Sequence, residues 1–324
     1  MTPSASSPVI DVVGLRKRYG RVEALADLTM TVQPGEIFGF LGPNGAGKTT
    51  TVKLLLGLAR PSGGTGRILG APLGDREVRR RIGYLPELFR YQPWLHAREL
   101  LALHADLMRL PRTGRAQIFG DLLDLVGLAE RADDVVGGFS KGMQQRLGLG
   151  VALLGNPALV ILDEPTSALD PIGRRDVREI LRTARDRGAA VFLNSHLLSE
   201  VEQICDRIAI VDRGRVVAEG PLDAVLGERA TTVRVEGLMP EDLARLSVYG
   251  EPRFDGSELV IRALPDERVP DLVAELVAMG VRVHAVSSGT ESLEQRFLEL
   301  VGRPRVGDSP PSAPGGPGAT GAPA

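Results

Sequence analysis

Gly42 is followed by four residues and then by Gly47, Lys48 and Thr49. Residue types in that spacing form a phosphate cradle. Glycines let main-chain N–H groups converge on an anion, a lysine meets the outer phosphates, and a hydroxyl faces Mg²⁺. The cradle runs through Gly42, Pro43, Asn44, Gly45, Ala46, Gly47, Lys48, Thr49 and Thr50. The chain contains only four Lys against 35 Arg, so a lysine at the position this chemistry demands is informative. A second group stands at the end of the apolar run Leu159-Val160-Ile161-Leu162, where Asp163 and Glu164 follow. An aspartate so placed can hold Mg²⁺, and Glu164 is set to accept a proton from an attacking water. Capping of a helix is the structural alternative for one carboxylate, and it accounts poorly for two followed by Pro165. These motifs alone leave GTPase, kinase, helicase and transporter ATPase open.

The elements that must present these groups are legible around them. Ile37 to Leu41 reads as a short buried strand, and Lys48 to Leu58 as a helix with Leu54, Leu55 and Leu58 apolar. That strand–loop–helix order is the context the cradle requires. Val9 to Val13, Ala26 to Val32 and Ile82 to Leu85 read as further strands, the last running into Pro86-Glu87. From Ala97 to Val126 the apolar period becomes helical, with Pro111 separating two helices of an inserted subdomain. A helix follows Ser140 as far as about Leu154, and Pro171 opens another in the N1 position that proline tolerates. Strands at Ala189 to Asn194, Ile208 to Val211 and Val216 to Ala218, with a helix at Leu198 to Cys205, complete an alternation typical of a largely parallel, helix-covered sheet. Near Gly227 the pattern restarts as a small α+β unit. Its strands are at Thr231 to Val235, Leu259 to Arg262 and Val281 to Val286, and its helices at Glu241 to Leu246, Arg268 to Met279 and Glu291 to Val301. No chemistry is visible in it, and His284 reads as structural. The last 22 residues hold six Pro and five Gly and are expected to be disordered.

Composition narrows the classes. A net charge of −2 gives no global footprint for nucleic acid, and the cluster Arg79, Arg80, Arg81 reads as a solvated face. Cys205 stands alone, which precludes an internal disulfide framework and suits a reducing compartment. MTPSASSP carries no secretory pattern, and the longest apolar stretch, Leu147 to Leu162, is interrupted by Asn156-Pro157. The expectation is a cytoplasmic chain that reaches a membrane only through a partner.

Phe139 to Arg146, FSKGMQQR, precedes a helix about 20 residues before Asp163. Here the sequence resembles the ATP-binding cassette (ABC) transporter ATPases, whose signature reads LSGGQ. Ser140 and Gly142 match, while Lys141 and Met143 depart from it as in the export-type branch handling drugs, antibiotics, lipids or polysaccharides. The resemblance implies an α/β fold: a P-loop NTPase cassette over 8–228 with a mixed sheet and a helical subdomain at about 88–155. A small α+β accessory domain over 229–302 and the tail 303–324 follow. It implies ATP and Mg²⁺, with Tyr19 stacking on adenine and Thr49 and Asp163 at the metal. Glu164 would be the catalytic base and His196 the switch histidine on the γ-phosphate. Glu87 stands where the family usually has glutamine; its carboxylate can face Mg²⁺ but adds negative charge near ATP. Ser167-Ala168-Leu169-Asp170 matches the D-loop, and Ser140 and Gly142 would face the nucleotide of a second subunit.

That arrangement implies a homodimer, or a pair with a related cassette, closing on ATP. The resemblance also implies a separate multi-span membrane permease, a peripheral position on the cytoplasmic side of the cell membrane, and no nucleic acid. Four of the 13 aromatic residues, Tyr84, Phe89, Tyr91 and Trp94, lie where the family docks its permease. The function expected is ATP hydrolysis driving export, with an importer ATPase or a soluble non-transport ABC ATPase as the alternatives.

Lys48→Ala should weaken ATP binding by about 1.5–3 kcal/mol, roughly ten- to a hundredfold, the scale of a lost charge-assisted hydrogen bond. Titration calorimetry checks this, and an unchanged affinity would remove the cradle assignment.

Overall fold

The structure is a computed structural model that describes residues 7–167, 169–226, 230–289 and 292–302. The expected tail 303–324, the boundary at 227–229 and Ala168 of the D-loop lie outside the described residues. The chain opens with β1 (Ile10–Tyr19), β2 (Val22–Val32), β3 (Ile37–Leu41) and α1 (Lys48–Leu55). Next come β4 (Gly63–Ile68), β5 (Ala71–Pro72) and β6 (Ile82–Leu85), then the helices α2 (Ala97–Leu107), α3 (Arg115–Leu125) and α4 (Lys141–Leu153). The sheet is completed around β7 (Leu159–Asp163), α5 (Pro171–Asp186), β8 (Ala190–Asn194), α6 (Leu198–Ile204), β9 (Arg207–Asp212), β10 (Arg215–Pro221) and α7 (Leu222–Leu226). A second set follows: β11 (Ala230–Glu236), α8 (Leu243–Leu246), β12 (Glu251–Phe254), β13 (Glu258–Arg262), α9 (Val269–Ala278), β14 (Arg282–Gly289) and α10 (Leu293–Gly302).

The larger sheet has the order β5-β4-β1-β2-β10-β9-β3-β8-β7-β6. Its block β9-β3-β8-β7-β6 is parallel, and β1, β2, β4 and β5 form an antiparallel flank. Successive side chains in the parallel block go to opposite cores. Ile37 and Leu41 of β3, Val160 and Leu162 of β7, and Val191 and Leu193 of β8 join the core shared with α2 to α5. Phe38 and Phe40, Leu159 and Ile161, and Ala190 and Phe192 join the core under the antiparallel flank. Both faces are thus dry, which is why these strands read as continuous apolar runs rather than as alternation. The Phe40 and Phe192 rings lie 5.2 Å apart between centroids, and each fully buried side chain of this size contributes about 1.5–3 kcal/mol.

The antiparallel flank extends further than its sequence suggests. β1 runs on to Tyr19 and β2 starts at Val22, with Tyr19 paired to Val22 across the hairpin. Arg16, Lys17 and Arg18 interrupt the apolar pattern there because that part of the ribbon has a solvated face. β4, glycine-rich and without an apolar period, is held by its register with β1 and carries no local strand signal.

α10 departs from the expected accessory unit of 229–302. The accessory core consists of residues such as Val233, Leu259, Ile261, Leu272 and Leu276, from β11, β13 and α9. α10 packs instead against α6, α7 and β10. Leu293 is 0% exposed within the core of the larger sheet, and Phe297, Leu300 and Val301 pack against that core. The Leu293 N–H donates to the Glu202 carboxylate of α6, and Arg296 Nε donates to the Val225 carbonyl of α7 at 3.1 Å. A ten-residue amphipathic helix has the same apolar period wherever it docks, so sequence order alone assigns it to the wrong neighbour.

Candidate active site

Five parallel strands deliver their C-terminal ends to one edge of the sheet, where ligands bind in open α/β sheets. β3 feeds the cradle, β6 leads to Glu87, β7 ends in Asp163 and Glu164, and β8 ends in Asn194, followed by Ser195 and His196. Register places Asp163 opposite Asn194. A cavity of about 500 Å³ opens there, lined by Gly42, Pro43, Asn44, Lys48, Thr49, Glu87, Asp163, Glu164, Asn194, Ser195, His196, Leu198 and Phe297.

Two glycines of the cradle are sterically required. A Cβ on Gly42 would stand 2.3 Å from the Val211 carbonyl oxygen of β9. Gly47 has φ +102°, and a Cβ there would meet the Leu25 side chain at 2.5 Å and the Ala24 carbonyl at 2.6 Å. No side chain caps α1, so its first-turn N–H groups are left for an anion. Lys48 Nζ donates to the carbonyls of Gly42 and Pro43, at 2.7 and 3.3 Å. Burial pulls the Lys48 ammonium below its ordinary value, and Glu164, Asp163 and Glu87 oppose that by favouring the charged form.

The two carboxylates at the end of β7 are held differently. Asn194 Nδ2 donates to Asp163 Oδ1. Burial raises the Asp163 carboxyl above its ordinary range and Glu87 adds to this, while the Asn194 hydrogen bond and Lys48 pull it down. Glu164 is 8% exposed and has φ +54°, a left-handed backbone that a glutamate adopts only under constraint. Its N–H donates to the Asn194 carbonyl at 2.9 Å. His196 Nδ1 lies 2.7 Å from Glu164 Oε2 without hydrogen-bond alignment. Among the described residues, Glu164 Oε2 and Asn194 Oδ1 are therefore buried acceptors without a hydrogen-bonding donor. Such groups carry a desolvation cost that a water, a metal-bound water or a ligand donor relieves.

Nine of the sequence-predicted site residues line this cavity: Gly42, Pro43, Asn44, Lys48, Thr49, Glu87, Asp163, Glu164 and His196. Gly45, Ala46, Gly47 and Thr50 belong to the same loop and helix start but do not line it. Tyr19 sits outside, exposed at the end of β1, with the Lys17 ammonium 4.7 Å from its ring centroid. Ser140 and Gly142 are also outside; Ser140 Oγ caps α4 by accepting from the Met143 N–H at 3.2 Å. Asp170 caps α5, accepting from the Gly173 N–H at 2.7 Å. Among the described residues no group of three or more His, Cys, Asp and Glu forms a ready metal cage. The donor set Thr49, Asp163 and Glu87 instead suits Mg²⁺, which keeps waters and takes substrate phosphate oxygens as ligands.

Sequence reasoning missed Asn194, Gln145 and Phe297. Asn194 had a signal, a polar residue closing an apolar strand as Asp163 does. Gln145, buried in α4, donates from Nε2 to the Pro165 carbonyl at 2.8 Å and so ties that helix to the segment after Glu164. Phe297 had no signal at all.

The raised Asp163 carboxyl has a consequence for stability. Its proton is held more tightly in the folded state than in the unfolded one, so ionisation costs the fold stability as pH rises through the raised value. In nucleotide-free protein, Asp163→Asn should melt above the wild type at about pH 8. The difference should close near about pH 3, where the wild-type carboxyl is protonated in both states. A pH series of melting curves checks this, and a variant that melts lower at about pH 8 would show that the ionised carboxylate stabilises the fold.

Residues 25–167 match the sequence profile of the ABC transporter family. The bacitracin transport ATP-binding protein BcrA of Bacillus licheniformis is 34% identical over 311 residues, covering 93% of this chain and 100% of its own. The Nod factor export ATP-binding protein I of Burkholderia orbicola is 38% identical over 302 residues, covering 91% and 97% respectively. A solved structure described as the ATP-binding subunit of an ABC transporter superposes with a TM-score of 0.62 at 34% identity, over 67% of this chain and 91% of that one. With an anion cradle, a buried carboxylate pair and a histidine converging at one sheet edge, the chain belongs to the ATP-binding subunits of ABC transporters and is an ATPase of that family.

Proposed function

We propose that this ATPase powers export through a separate membrane permease, acting as two copies that close on ATP. The observation that carries the reading is the shared cavity, where Lys48, Asp163, Glu164 and His196 meet and Glu164 Oε2 lacks a hydrogen-bonding donor among the described residues. On ATP entry Lys48 exchanges the Gly42 and Pro43 carbonyls for β- and γ-phosphate oxygens. Glu164 accepts a proton from the attacking water as its oxygen bonds the γ-phosphorus. The bond from that phosphorus to the bridging oxygen breaks, and ADP and inorganic phosphate leave. His196, which adjoins Glu164, would contact the γ-phosphate. Thr49, Asp163 and Glu87 would hold Mg²⁺, which supplies charge neutralisation of the phosphates.

The two-copy reading is supported by where the signature lies. Ser140 and Gly142 sit at the N-terminus of α4, away from the cavity of their own chain, and a helix N-terminus suits a phosphate supplied by a second copy. A relative named for Nod factor export supports the export direction, and one named for bacitracin transport supports a transport role. Among the described residues no helix is long and apolar enough to cross a membrane, which suits a subunit that acts through a permease. The exposure of Trp94 supports a docking surface for that permease. Phe89 and Tyr91 tuck against the core with their centroids 5.0 Å apart, whereas Trp94 is 71% exposed. An exposed tryptophan beside a packed aromatic pair is a fitting anchor for the permease.

Glu164→Gln should retain ATP binding, lose hydrolysis by about 10²–10⁴-fold and accumulate as an ATP-dependent dimer. Hydrolysis assays with size-exclusion chromatography in Mg-ATP read both effects, and normal turnover would move the base elsewhere. Trp94→Ala should leave melting temperature and ATP affinity intact while releasing the chain from membranes that hold its permease. Retained membrane association would place the docking surface elsewhere.

A further inference from the structure

Among the described residues that line the cavity, Phe297 comes from α10, about a hundred residues beyond the strand ends that supply most of the others. Three anchors hold that helix. Leu293 is fully buried, its N–H donates to Glu202 of α6, and Arg296 reaches the Val225 carbonyl of α7. Positions 293, 297, 300 and 301 share one helical face, and Leu298 on the opposite face is exposed. The orientation of α10 is therefore set, with Phe297 facing inward.

α6 starts at Leu198, two residues after His196, so whatever holds α6 holds the loop that carries the histidine. On its other side α6 is tied to α5, where Arg178 meets the buried Glu200 carboxylate at 2.6 Å. α6 lies between α5 and α10, and Phe297 and Leu198 both line the cavity next to Ser195 and His196.

We propose that Phe297 is a positioning residue for ATP hydrolysis: it closes the cavity wall beside the Ser195–Leu198 loop, holds His196 in register with Glu164, and keeps bulk water from the phosphates. This rests on the reading of the cavity as the ATP site. In the sequence only residues 290–292 separate β14 from α10, so the helix that carries this ring directly follows the accessory sheet. An apolar ring suits this task, since it adds no charge to a cavity already holding three carboxylates and it excludes water by volume.

The test compares full-length wild type, Phe297→Ala and Phe297→Leu in Mg-ATP. For Phe297→Ala we expect kcat to fall about tenfold or more, with KM and calorimetric ATP affinity within about twofold of wild type. Phe297→Leu, which keeps apolar bulk, should recover most of kcat. An unchanged kcat in Phe297→Ala would overturn the proposal. So would a loss of ATP affinity matching the loss of turnover without recovery in Phe297→Leu, since that pattern marks packing alone. A wild-type chain that binds no ATP would instead overturn the reading of the cavity beneath it.

Discussion

Five strands that run in parallel must all end on the same side, and in β9-β3-β8-β7-β6 that common edge is where the chemistry gathers. Because both faces of the block are sealed by apolar side chains, its register cannot slip by one residue without turning Phe38, Phe40 and Phe192 into the opposite core. The pairing of Asp163 with Asn194, and the closeness of Gly42 to Val211, are consequences of that register. A site built on sheet ends is held more firmly than one built on free loops.

The same edge concentrates charge that the fold alone does not neutralise. Glu87, Asp163 and Glu164 surround one lysine, and the raised Asp163 carboxyl, with a Glu164 oxygen that has no hydrogen-bonding donor among the described residues, shows the cost of that arrangement. A bound divalent cation and a phosphate chain able to take up Lys48 would relieve it together. Local strain at the left-handed Glu164 belongs to the same economy, since a relaxed backbone would point that carboxylate elsewhere.

Coupling outward runs through packed helices. α6 is gripped by α5 through Arg178 and Glu200 and by α10 through Glu202, while Gln145 joins α4 to the segment following Glu164. α4, the loop that carries His196 and α10 therefore reach the sheet edge through separate, named contacts. Movement of any of them has a direct mechanical route to the site.

Much of this was legible in the chain because it is local. The spacing of Gly42, Gly47, Lys48 and Thr49 defines a cradle, an apolar run ending in Asp163-Glu164 defines a strand end, and Pro171 after Asp170 marks a helix start. Each depends on neighbours within a few residues, where steric and hydrogen-bonding rules act directly. The position of Tyr19 outside the chain's own cavity, the placement of Asn194 opposite Asp163, and the docking of α10 were decided only by tertiary structure. Phe297 is the clearest case. Its period along the helix marks an apolar face and nothing more, because burial is non-directional and a helix covers whichever core its connection allows it to reach.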